Sequence, residues 1–150
     1  MTQTATLATL PTRLILALGL VLALLVGVAH TDASAKGTER RILLTATSAG
    51  RSIGASGAAR VRTDGARQDF RISMDARVAA GTTFRVYITS SAYPNKTFLV
   101  GRVRIVAGRG ELEVSNDNGR TLPAGVSPVL SIRTVVVRNG AGTAVLRGSF

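Results

Sequence analysis

Side chains that could carry out chemistry are few in this sequence. The only histidine is His30, and the 150 residues include no cysteine and no tryptophan. Without cysteine there is no disulfide, no thiolate metal site and no cysteine nucleophile. His30 lies in or beside an apolar N-terminal segment, so the rest of the chain lacks the imidazole that Ser-His-acid catalysis and His-ligated metals require. The sequence therefore predicts no Cys- or His-ligated metal site and no cofactor. The oxygen-rich segment at residues 115–119 is predicted to be an Asx-Gly turn without metal, with a calcium site as the weaker alternative.

Carboxylates are the remaining candidates for acid–base catalysis. Glu111 and Glu113 are two residues apart, so on a strand they point to the same side at a separation of about 6.5–7 Å. Glycosidases use carboxyl pairs about 5–9.5 Å apart. Sugar-binding active sites also use aromatic side chains as platforms, and this chain has no tryptophan and only two tyrosines, Tyr87 and Tyr93. We predict that the protein is not an enzyme, with a carboxylate-dependent hydrolase as the weaker alternative.

Arginine is the remaining functional side chain. Lys and Arg number 19 against 8 Asp and Glu, giving a net charge of +11. Arg102 and Arg104 share one face of a predicted strand, and Arg85 and Tyr87 share one face of the preceding strand. If these strands are neighbours, the four side chains form a shallow basic patch that could bind anionic polymers or glycans. The alternative is a solubilising face whose charge reflects amino-acid composition.

The elements that would position these residues are strands. From Arg41 onward apolar residues recur with a period of two, and turn residues recur every eight to twelve positions, which is typical of an antiparallel sandwich or barrel. In Arg67–Ala76, for example, Phe70, Ile72 and Met74 share one face. We predict an all-β fold, a single antiparallel β-sandwich of about seven or eight strands.

Two hairpins are predicted near the C-terminal end. The first joins Thr97–Ala107 to Gly110–Asn116 through a loop at residues 108–109, a register that sets Arg104 opposite Glu113. The second joins Val129–Arg138 to Thr143–Phe150 across an Asn- and Gly-rich turn. Between β-rich segments, the Gly- and Ser-rich stretch from residue 48 to 56 is predicted to be a loop.

The first 35 residues have the pattern of a secretory signal peptide. Leu14–Ala29 is an unbroken apolar or glycine segment that follows Arg13, and Ala33-Ser34-Ala35 is a small-residue cleavage site. We predict cleavage after Ala35, with Ala29 as the second choice, which leaves a domain of residues 36–150 that is secreted or periplasmic. The alternative is a membrane anchor formed by residues 14–29.

Part of the chain resembles a group of small exported β-rich bacterial proteins. The resemblance rests on Val103–Val114, Leu122-Pro123, Val135–Arg138 and the ending Ala144–Phe150, and it covers roughly residues 57–150. It implies an exported β-rich fold and assigns no activity and no functional residue.

Together these patterns predict an exported, non-catalytic module with a structural or interaction role. Its partner is unknown, with an anionic envelope polymer or a protein at a sheet edge as candidates. Nucleic acid is not expected, since nucleic-acid modules interleave basic and aromatic residues more densely. Contact with a membrane is expected only through an uncleaved signal segment.

Overall fold

Eight antiparallel strands make up most of residues 37–150, the part of the chain that the computed structural model describes. The strands are β1 (Thr38–Ala46), β2 (Ser56–Asp64), β3 (Arg67–Asp75), β4 (Thr83–Ser90), β5 (Tyr93–Arg104), β6 (Arg109–Ser115), β7 (Ile132–Arg138) and β8 (Ala144–Ser149). A five-residue helix, α1 (Ser48–Ser52), follows β1, and single turns of 3-10 helix occupy Asp117–Gly119 and Val129–Ser131.

All eight strands belong to one sheet, in the order β5-β4-β7-β8-β1-β2-β3-β6. The two outermost strands, β5 and β6, converge where Val106 and Arg109 exchange backbone hydrogen bonds of 2.8 and 3.1 Å. The turn between them is Ala107-Gly108, and both residues have the positive φ that a two-residue hairpin turn requires. The sheet is therefore nearly closed. The predicted all-β antiparallel fold of seven or eight strands is confirmed, whereas its finer description as two packed sheets is not.

The core lies on the inner face of this sheet. Phe70, Ile72 and Met74 of β3 are at most 1% exposed, as are the inward apolar residues of β4. The predicted alternation on these strands is confirmed, because strands that cover a core on one face bury every second residue.

The connection between β6 and β7 is fixed to the end of the β2–β3 hairpin. The Asn116 side chain accepts a hydrogen bond from the Gln68 backbone N–H and donates one to the Ala66 carbonyl. Farther along, the Gln68 side-chain oxygen accepts from the Val129 N–H at 2.9 Å. Buried Leu122 and Val126 join the core from this connection.

The predicted hairpin between Thr97–Ala107 and Gly110–Asn116 is wrong. Instead β5 pairs with β4, and β6 pairs with β3, where Glu113 lies opposite Arg71 rather than Arg104. Only the Val106–Arg109 pair joins the two segments, in a register shifted by two residues. The local complementarity of Arg104 and Glu113 was misleading, because Arg71 offers the same complementarity from a strand distant in sequence.

Two further boundaries differ from the sequence predictions. The predicted loop from residue 48 to 56 contains α1, whose first turn is capped by Thr47: its hydroxyl accepts from the Gly50 N–H at 3.2 Å and donates to the Ala144 carbonyl at 2.6 Å. The predicted strand Val129–Arg138 begins later, at Ile132, after a turn of 3-10 helix. The hairpin of β7 and β8 itself is confirmed.

The predicted signal peptide, its cleavage after Ala35 and the alternative anchor at residues 14–29 lie outside the described residues. Within residues 37–150, no helix has both the length and the apolar character needed to cross a membrane.

Candidate functional site

The four arginine and tyrosine residues singled out from the sequence lie together on neighbouring strands. β4 pairs with β5, and this register sets Arg85 directly opposite Arg102. Arg104 lies two residues beyond Arg102 on the same outward side, and Tyr87 lies two residues beyond Arg85. The condition for a shared patch, that the two strands be neighbours, is therefore met.

A fourth arginine extends this patch on the other side of β4. β7 pairs with β4, and Arg138 lies opposite Arg85. Its guanidinium stands over the Tyr87 ring at 5.5 Å from the ring centre and donates to the Gly142 carbonyl. Arg138, Arg85 and Arg102 thus lie side by side across three strands, and we call them the arginine row.

The whole outer surface around the arginine row lacks carboxylates. The cations of β5, β4, β7 and β8 are Arg85, Lys96, Arg102, Arg104, Arg133, Arg138 and Arg147. No Asp or Glu occurs on these four strands, and none of these cations forms an ion pair within the described part of the chain. We call the outer face of these four strands the basic face.

The other half of the sheet holds the carboxylates of residues 37–150. They lie on β1, β2, β3 and β6 or directly after β6: Glu39, Asp64, Asp69, Asp75, Glu111, Glu113 and Asp117. Arginines are also frequent there, but the central ones are paired. Arg60 contacts Asp69 at 3.1 Å and Glu39 at 3.9 Å. Charge is therefore balanced on one half of the sheet and unbalanced on the other.

Glu111 and Glu113, the carboxyl pair of the hydrolase alternative, both face Arg71. Arg71 forms ion pairs with each of them, and all three side chains are about half exposed. The hydrogen bond to Glu111, followed by the negative charge of that residue, raises the pKa of Arg71 above its ordinary value. Beside them lies a shallow depression of about 220 Å³, lined also by Arg41, Arg60 and Ser73. This arrangement is that of an exposed ion-pair cluster.

Metal-ligating side chains do not converge in the described region. Among residues 37–150, no group of three or more His, Cys, Asp or Glu side chains is placed to hold a metal ion.

Comparison with known proteins identifies no relative of the chain. No family model matches the sequence, and neither a curated protein nor a solved structure is similar to it. The function is therefore inferred from the basic face itself.

Sequence reasoning missed Arg138 and the extent of the basic face. A signal for it is present in the sequence, because residues 76–110 and residues 118–150 contain no Asp or Glu. The sequence does not show that these two stretches supply neighbouring strands. In the sheet β4 and β7 are paired directly, although β5 and β6 lie between them in the sequence.

Proposed function

We propose that the chain is an exported, non-catalytic β-domain that binds an anionic polymer of the envelope or the extracellular space through its basic face. The observation that supports this function is the arginine row, three guanidinium groups in register on neighbouring strands with no carboxylate on their face.

Facing like charges are unfavourable in a sheet that lacks a bound anion. Like charges directly opposite each other on paired strands destabilise the pairing. The basic face contains two such contacts, Arg138 against Arg85 and Arg85 against Arg102. An anion placed over the row offsets this repulsion, and a polymer places several anions at once. On the opposite half, Arg60 and Arg71 also face each other, but acids of the chain neutralise them.

Export is the second part of the proposal. The signal-peptide pattern of residues 1–35 favours a secreted or periplasmic location, where the domain would meet the anionic polymers of the cell envelope. The lack of cysteine is compatible with an oxidising compartment, since the fold needs no reduced thiol.

Salt dependence of binding to inorganic polyphosphate tests the proposal, because this probe carries charge and no sugar. Each phosphate that an arginine neutralises contributes about −0.7 to the slope of the logarithm of the binding constant against the logarithm of the salt concentration. Four arginines, Arg85, Arg102, Arg104 and Arg138, should therefore give a slope of about −2.8. The variant R85Q/R102Q should reduce the slope to about −1.4. It should stay folded, since it removes a facing like-charge pair.

The matched control is R62Q/R109Q, which removes the same net charge from two exposed arginines on the acid-bearing half. It should leave the slope at the wild-type value. Equal slopes for the two double variants, or no binding of any polyanion at low salt, would overturn the proposal.

A further inference from the structure

The basic face carries more than arginine, because its outward side chains change in type from one end of the strands to the other. Next to the arginine row lies a row whose three central members are apolar or aromatic, with Tyr87 flanked by Val136 and Leu99. We call these three residues the apolar row, and Arg147 of β8 lies beside Val136 at its end. Leu99 is 49% exposed, so this row is in contact with solvent. Successive outward residues are two apart along a strand, which separates neighbouring rows by about 6.6 Å.

The third row consists of hydroxyl groups. Its members lie opposite one another on four neighbouring strands: Ser149 on β8, Thr134 on β7, Thr89 on β4 and Thr97 on β5. The two central hydroxyls, of Thr89 and Thr134, are 2.6 Å apart and share a hydrogen bond. Each hydroxyl oxygen has a further acceptor site, and Ser149 and Thr97 are exposed. We call these four residues the hydroxyl row.

Beyond the hydroxyl row, the end of the face has two depressions on either side of Arg133. One has a volume of about 510 Å³ and includes Arg40 and Phe150, and the other has a volume of about 400 Å³ and includes Pro94 and Asn95. Arg133 and Ser91 line both.

Arg133 is held outward by an irregularity in the strand pairing. Ser90 and Thr89 of β4 pair with Ile132 and Thr134, so Arg133 is the unpaired residue of a β-bulge. Bulges redirect a side chain out of the regular alternation. Arg133 is exposed and forms no ion pair within residues 37–150. Its guanidinium is therefore available to an anion between the two depressions.

From this order of rows we infer that the polymer is an acidic polysaccharide, lying along the strands from the arginine row to Arg133. The inference rests on the proposed function and adds the substrate class. Carboxylate groups of the sugar chain pair with guanidinium groups at both ends. Between them, sugar C–H faces contact the apolar row, and sugar hydroxyls bond to the hydroxyl row. The distance from the arginine row to the hydroxyl row, four residues along β4, is about 13 Å. A polymer of bare phosphates has no C–H face for the apolar row and no hydroxyl donor for the hydroxyl row, although its oxygens can accept hydrogen bonds.

The test compares polygalacturonate with inorganic polyphosphate as probes of the purified protein. The variant T89V/T134V removes both central hydroxyls and keeps the side-chain shape, a change that leaves no buried group unpaired. It should weaken polygalacturonate binding about tenfold, the effect of two lost hydrogen bonds, and should weaken polyphosphate binding less, because phosphate only accepts hydrogen bonds whereas sugar hydroxyls also donate them. R133Q should likewise weaken polygalacturonate binding, because it removes the guanidinium at the far end of the site.

The matched control is T38V/T63V, which changes a facing threonine pair on β1 and β2 and should affect neither probe. If polyphosphate binds and polygalacturonate does not, or if T89V/T134V weakens both probes equally, the polysaccharide inference is overturned while the proposed function stands. If neither probe binds at low salt, the proposed function falls, and this inference falls with it.

Discussion

The point at which the sheet closes depends on Gly110, the second residue of β6. Gly110 is buried, and a methyl group added there would overlap the Val103 Cγ1 atom and lie 2.8 Å from the Arg104 carbonyl oxygen. Val103 could change its rotamer, but the Arg104 oxygen moves only if the β5 backbone moves. The substitution G110A should therefore force β5 and β6 apart and destabilise the protein.

The size of this effect follows from the contacts. Inserting a methyl group into a close-packed site costs about 1–3 kcal/mol. For a folded region of the size described here, residues 37–150, each kcal/mol corresponds to about 4 °C in Tm, since the unfolding entropy is about 2.1 cal/mol/K per residue. We expect G110A to lower Tm by about 4–12 °C.

Thermal unfolding followed by circular dichroism measures this shift, with G140A as the matched control. An added methyl group at Gly140 meets no atom within 4 Å, so its effect should stay within about 0.5 kcal/mol, or about 2 °C. A Tm for G110A that equals that of G140A would refute the close approach of β5 and β6, and with it the near closure of the sheet.

Two further substitutions test how the sheet is held together. T47A removes both the cap of α1 and the hydroxyl contact to Ala144, so it should lower the free energy of unfolding by about 1–2 kcal/mol; an unchanged urea midpoint would contradict this role. D69N removes the charge that pairs with Arg60 from a residue only 3% exposed. Loss of a buried partner costs about 3–5 kcal/mol, and because Arg60 is partly exposed we expect about 2 kcal/mol. The control D64N changes an exposed carboxylate, and equal urea midpoints for D69N and D64N would exclude a special role for Asp69.

Features set by neighbouring residues were predictable from the sequence. The buried faces of β3 and β4 follow from alternation, because a half-buried strand repeats every two residues whatever it pairs with. The turn at Gly65 between β2 and β3 follows from Asp64-Gly65, where the glycine has the positive φ of a tight turn.

Pairing between distant strands was not predictable in the same way. Glu113 is complementary in charge both to Arg104, which is near in sequence, and to Arg71, which is far away. The local sequence pattern does not show that Glu113 pairs with Arg71 rather than with Arg104. The candidate site shows the same limit. Arg85 and Arg102 come from consecutive strands and were grouped correctly, whereas Arg138 joins them only through the non-sequential pairing of β7 with β4.

The strand order also determines at which stage of folding the basic face forms. The half of the sheet that contains β4 and β5 is joined to the half that contains β1, β2 and β3 through β7 and β8. The contact of Thr47 with Ala144 spans 97 residues of sequence. A chain that ends before residue 132 has neither Arg138 nor the strands that join the two halves. Assembly of the arginine row is thus coupled to completion of the sheet, and an incomplete chain does not present it.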